Sequence, residues 1–117
     1  MKGKQVSEPA AVVGLYDLVK WYGDRTLRFP RPLRVTLGDR IDNRLLDMLE
    51  LAVQARYSAD PRELLQRINS ELNVLRYLTR LAHERGCLAL SQYEYAARAI
   101  DSVGRQVGGW LKHRAAG

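Results

Sequence analysis

The sequence is short of the residues on which most catalytic and secreted proteins depend. It has a single cysteine, Cys87, which excludes an intrachain disulfide and points to a reducing, cytoplasmic compartment. Cys87 has only His83 nearby, and that pair does not complete a zinc site. His83 falls in the last turn of a predicted helix, where a cationic group complements the helix dipole, and His113 lies far from it near another helix end. Glu-x-x-His pairs of the di-iron bundle type are missing. Gly104, Gly108 and Gly109 neither follow a strand nor open a helix, so they form no phosphate loop. These gaps lead us to expect no catalytic residue, no metal ligand, no cofactor and no enzyme.

Long apolar runs are missing as well. No stretch approaches the roughly 20 residues that span a bilayer, and Met1 to Pro9 has no signal-peptide core. No segment alternates apolar and polar residues at the strand period. The fold class expected is all-α.

What is present is helical spacing. The length of 117 residues and the hydrophobic content of 46% suit one globular domain over 1–117. Helices are predicted at about 10–27, 33–57, 61–85 and 92–112, with flexible tails at 1–8 and 114–117. Pro9 stands at the first turn of helix one, where Val12, Leu15, Tyr16, Val19 and Tyr22 recur at three- and four-residue steps. Phe29-Pro30-Arg31-Pro32 breaks that helix. Leu37, Ile41, Leu45, Met48, Leu49 and Ala52 form the stripe of helix two. Asp60-Pro61-Arg62-Glu63 reads as a capping box before Leu64, Leu65, Ile68, Leu72, Leu75, Leu78 and Ala82. Gly86 is placed to terminate helix three in a left-handed conformation. Ser91 to Glu94 repeats the box, with Leu90 and Tyr95 as its hydrophobic staple, ahead of Ala97, Ile100, Val103 and Val107. Short loops make consecutive helices antiparallel, an up-down-up-down four-helix bundle.

Charge is lopsided: 19 Lys and Arg against 13 Asp and Glu give a net +6. Only Lys2, Lys4, Lys20 and Lys112 are lysines, so arginine, whose planar fork suits phosphate and carboxylate, supplies the rest. Such a balance fits either a polyanionic partner or simple solvation. Arg25, Arg28, Arg31 and Arg34 recur every third residue with no acidic residue between them, placed either to meet phosphates or to complement a helix end. Arg98, Arg105 and Lys112 share a face of helix four, and Arg76 and Arg80 lie a turn apart on helix three. Arg40 and Arg44 have Asp47 and other carboxylates nearby and are expected to be structural. Tyr57, Tyr77, Tyr93 and Tyr95 offer rings for base stacking, but on helix stripes tyrosine is expected in the core. Gly104 and Gly108 lie on one face and permit a close backbone approach, either by helix one or by another subunit. Trp110, with Trp21 and Tyr22, suggests an association surface.

Several segments, taken in order, carry a family resemblance: Leu37-Gly38-Asp39-Arg40-Ile41, Leu45-Leu46 with Leu49-Glu50, Ala55-Arg56-Tyr57-Ser58, and Leu75-Arg76-Tyr77-Leu78. Ser91-Gln92-Tyr93-Glu94-Tyr95-Ala96-Ala97 and Gly108-Gly109-Trp110-Leu111-Lys112 complete the set. From Tyr16 to Lys112 the chain resembles the accessory variability determinant (Avd) proteins of diversity-generating retroelements. Related four-helix proteins are encoded in intervening sequences of bacterial 23S ribosomal RNA genes, and they supply the alternative reading, an RNA-associated bundle. Their Glu-Gly-Tyr-Gly-like stretch is replaced here by Ala55-Arg56-Tyr57-Ser58, which favours the Avd branch.

The resemblance implies a homopentameric barrel of basic four-helix protomers. It implies a non-catalytic role, binding a reverse transcriptase and its template RNA, and cDNA, in mutagenic retrohoming. Arg76 and Lys112 lie inside matching segments, whereas Arg25, Arg28, Arg31 and Arg34 rest on charge. The expected nucleic-acid contacts are these six with Arg80, Arg98 and Arg105; the expected oligomer contacts are Gly104, Gly108 and Trp110.

Overall fold

Helix α1 (Ala10–Thr26) starts where Pro9 turns the chain, its carbonyl accepting the Val12 and Val13 amides at 3.0 and 3.2 Å. The computed structural model describes residues 8–116, so residues 1–7 of the tail expected at 1–8, and Gly117, lie outside the described residues. α2 spans Asp39–Arg56, α3 Arg62–Glu84 and α4 Leu90–Ala116. Among the described residues there is no strand. α1 packs on α2 and α4, and α3 packs on α2 and α4, so the four helices form a closed ring of neighbours around one core. α4 does not stop at Lys112; it continues to Ala116, and Arg114 donates a hydrogen bond to the Ala59 carbonyl.

The proline break has more structure than its sequence suggests. Pro30 accepts the Leu33 and Arg34 amides, and a single helical turn, Arg31–Leu33, forms around Pro32. Proline is tolerated there because a first-turn residue needs no intrahelical donor. Arg34–Gly38 then widens into a π-helical turn, with the Asp39 amide reaching back to the Arg34 carbonyl. The Thr36 hydroxyl donates to the Pro32 carbonyl at 2.9 Å, occupying an acceptor that a regular ladder would use. The continuous helix expected from residue 33 is therefore regular only from Asp39.

The other helix ends bear out some caps and move others. At Gly86, φ is +79°, and the Gly86 and Cys87 amides bond to His83 and Ala82 carbonyls at 2.9 and 2.8 Å, a Schellman ending. The N-cap of α3 is Pro61 rather than Asp60; from one residue further out, Asp60 accepts the Arg62 amide at 3.3 Å and the Arg62 guanidinium at 2.8 Å. Glu63 does not close the box; the Asp60 amide bonds to Ser58 Oγ instead. At α4 the box lies two residues earlier than its sequence suggests: Gln92 Oε1 accepts the Ala89 amide at 2.8 Å. Leu90 and Tyr95 are both exposed, so no staple forms.

The core is built from Leu15, Leu18, Ile41, Leu45, Met48, Leu65, Ile68, Leu72, Leu75, Ile100 and their neighbours, all almost fully excluded from water. Each such side chain contributes about 1.5–3 kcal/mol by leaving water. Tyr16 belongs to the expected stripe but stands exposed, while Leu18 takes its place inside. Tyr22 is fully buried, so it is a core residue and not part of an association surface. Its hydroxyl pairs with Thr79 at 2.7 Å, tying α1 to α3 across the core. Burial pushes the Tyr22 phenol far up, with the Thr79 hydrogen bond opposing that shift.

Candidate nucleic-acid interface

The nine basic residues singled out from the sequence fall into separate groups. Arg25, Arg28, Arg31 and Arg34 surround the turn between α1 and α2. This end is fastened by Thr26, whose hydroxyl donates to Asp42 Oδ2 at 2.7 Å. Asp42 on α2 thus bonds a neutral hydroxyl, and the other carboxylates of this end, Asp24 and Asp39, are exposed and form no ion pair among the described residues. Burial raises the Asp42 carboxyl above the ordinary range, the Thr26 hydrogen bond lowers it, and Asp39 raises it further. Arg28, Arg31 and Arg34 are exposed, and none forms an ion pair among the described residues. Arg25 is half-buried, with its guanidinium 5.4 Å from the centre of the Trp21 ring.

On α4 the side facing inward carries Ala96, Ile100, Val103 and Val107. Arg98, Arg105 and Lys112 therefore point away from the core, and all three are exposed. Successive members lie about 10 Å apart at 1.5 Å rise per residue.

The α3–α4 seam treats its arginines differently. Arg76 Nε donates to Asp101 Oδ1 at 3.2 Å, and its Nη1 donates to Asn73 Oδ1 at 2.7 Å. Arg80 Nε bonds Glu84 Oε2 at 3.1 Å, and Glu84 raises the Arg80 pKa. On the opposite seam Arg44 pairs with Glu71 rather than with Asp47, while Arg40 stands exposed with no ion pair among the described residues. His83 Nδ1 lies 2.9 Å from the Leu88 carbonyl and its ring stacks on Tyr93, so it ties down the α3–α4 turn.

The glycines also separate. The tight approach of α1 to α4 is at Gly14, where an added Cβ would lie 2.9 Å from Val103 Cγ2 and 3.1 Å from Gln106 Oε1. Gly104 faces α3, and an added Cβ there would sit 3.1 Å from Arg76 Nη2. Its missing side chain makes room for the guanidinium, not for another backbone. Gly108 and Gly109 face open space, and Trp110 is half-buried against the core.

The bAvd-like family model matches residues 12–114. The chain belongs to the bAvd-like family. The match runs from α1 to the last turns of α4, so it covers all four helices and every candidate residue named above. No curated protein and no solved structure matches the chain. Avd-type proteins are accessory proteins, and that role is the one the family assigns here. Among the described residues of this bAvd-like chain, no three His, Cys, Asp or Glu side chains gather as metal ligands. No described helix is long and apolar enough to cross a membrane.

Three tyrosines depart from the core placement that the sequence leads one to expect. Tyr57, Tyr77 and Tyr95 are not in the core of the bAvd-like bundle; they are 75%, 71% and 46% exposed. Their positions off the Leu–Ile stripes were the available signal, because a residue out of phase with the apolar period faces solvent.

Proposed function

We propose that this bAvd-like protein is a non-catalytic accessory of a diversity-generating retroelement. It binds the reverse transcriptase together with template RNA and its cDNA, and acts in the cytoplasm. The observation that carries the nucleic-acid part is the proline-turn end, where Arg28, Arg31 and Arg34 are exposed without a carboxylate partner among the described residues. Arg98, Arg105 and Lys112 extend the same character along α4. Phosphate contacts of this kind release counterions and make affinity steeply salt-dependent.

In this reading the protomers assemble as a homopentamer, and Gly108 and Trp110 lie at a subunit contact. Support comes from Gly108, a helical glycine with open space around it and no intrachain reason to lack a side chain. Gly104 has an intrachain reason in Arg76, so its part in that contact is weaker.

Titration of labelled template RNA at two salt concentrations tests the proposal. Binding at low salt that weakens steeply at higher salt is expected. No low-salt binding, or salt-independent binding, refutes the electrostatic mechanism. Light scattering on the same sample decides between monomer and pentamer, and a reverse transcriptase gene beside the coding sequence is required.

A further inference from the structure

Tyr77 has no folding role that its surroundings explain. It sits in the middle of α3, 71% exposed. Among the described residues it forms no hydrogen bond, ring contact or cation contact, whereas other exposed tyrosines do. Tyr16 lies under Lys20 at 4.9 Å, Tyr57 beside Arg56 at 5.2 Å, and Tyr95 against Trp21 at 4.9 Å. An exposed tyrosine also forms a helix less well than a lysine or glutamate.

Its neighbours are cationic. Arg76 and Arg80 flank it on α3. Arg76 meets Asp101 and His83 meets Tyr93, which fixes the antiparallel register of α3 against α4. In that register Arg98, on the outer face of α4, stands within one helical turn of the level of Tyr77. Arg105 lies two turns further along the same outer face. Arg76 is held by Asp101 and Arg80 by Glu84, so Arg98 and Arg105 are the cations left to meet an anion.

We propose that Tyr77 is a stacking platform for an unpaired base, with Arg98 and Arg105 on the phosphates of the same strand. This flank then takes single-stranded nucleic acid. An aromatic ring beside a cationic track is the arrangement that binds single strands without reading sequence. A duplex hides the faces of its bases, so a ring on the convex flank of a bundle gains nothing from it. The inference rests on the nucleic-acid reading of the preceding subsection and adds the form of the ligand.

The test measures anisotropy of a labelled oligouridylate strand and of a blunt RNA duplex of equal length, against the full chain and two variants. Tyr77→Ala is expected to weaken strand binding by roughly 5-fold or more. It should leave duplex binding and the salt slope unchanged, and Tyr77→Phe should retain strand binding. The exposure of Tyr77 makes both variants safe for folding, and circular dichroism verifies it. Unchanged strand binding by Tyr77→Ala overturns the platform while the wider nucleic-acid reading stands. Equal losses on strand and duplex, or a changed molar mass in light scattering, also overturn it, the latter by assigning Tyr77 to a contact between copies. If the unsubstituted protein binds neither probe at low salt, both readings fall.

Discussion

At the proline-turn end, Asp42 is held by Thr26, and Arg28, Arg31 and Arg34 are exposed and form no ion pair among the described residues. On the α3–α4 flank, Asp101 holds Arg76 and Glu84 holds Arg80. The two regions draw on similar residues, and the partner chosen by each carboxylate separates them. A carboxylate bonded to a hydroxyl leaves the neighbouring guanidinium groups available to an outside anion. A carboxylate bonded to a guanidinium fixes it as part of the helix packing and cancels its charge locally. Counting basic residues thus overstates the flank and understates the turn.

The largest expected effect comes from replacing Arg28, Arg31 and Arg34 together by glutamine. RNA affinity at moderate salt should fall on the order of 100-fold, and the log–log salt slope should become shallower by about 2 to 3. The thermal midpoint should not move. An unchanged slope would break the comparison by showing that the turn touches no phosphate.

Arg76→Ala is the converse. It should cost up to about 1 kcal/mol in denaturant unfolding, through the lost ion pair and the gap left over Gly104, with little change in RNA affinity. Adding Gly104→Ala sharpens the point. In the parent chain the methyl group meets Arg76 Nη2, offsetting the gain in helix propensity. In the Arg76→Ala background the full gain of about 1 kcal/mol should appear. Equal effects in both backgrounds would mean that Arg76 does not occupy that space.

Glu84→Gln should turn Arg80 outward and tighten RNA binding by about 3-fold, with a slightly steeper salt slope. Weaker binding would show that the Arg80–Glu84 pair itself positions the site.

The smallest effect expected is at Asp42. Its folded pKa is raised, chiefly by burial, so ionisation disfavours the fold. The penalty is present at neutral pH and disappears as the pH falls through the folded pKa. Asp42→Asn, which can still accept from Thr26, should therefore raise the melting temperature slightly at neutral pH, and the difference should vanish in acid. A lower melting temperature at neutral pH would mean that the charge on Asp42 strengthens the Thr26 bond by more than its burial costs.

Much of the fold was legible because its signals are local. Pro9, Gly86 and the Leu–Ile stripes each act within one or two turns; the structure places Gly86 and most stripe residues as expected and Pro9 one position earlier, at the N-cap. The capping boxes were legible only in part, since several polar residues compete for the free amides of a helix start: Ser58 rather than Glu63 takes the Asp60 amide, and Gln92 takes the Ala89 amide two residues ahead of the expected box. The π-helical turn was not legible, because it depends on the Thr36 hydroxyl taking the Pro32 carbonyl. The candidate site was legible as composition only. The resemblance in ordered segments pointed to the Avd type, and the family match over residues 12–114 agrees.

The sequence by itself determined the helical class, the helix count, the family and the excess of arginine, since periodicity and composition need no third dimension. Tertiary structure alone decided which arginines meet a carboxylate, that Gly14 rather than Gly104 admits a neighbouring helix, and that Tyr77 faces water. Those outcomes depend on the rotation of each helix about its axis and the register between antiparallel neighbours. Both are set by packing of the whole core, which no local stretch of residues encodes.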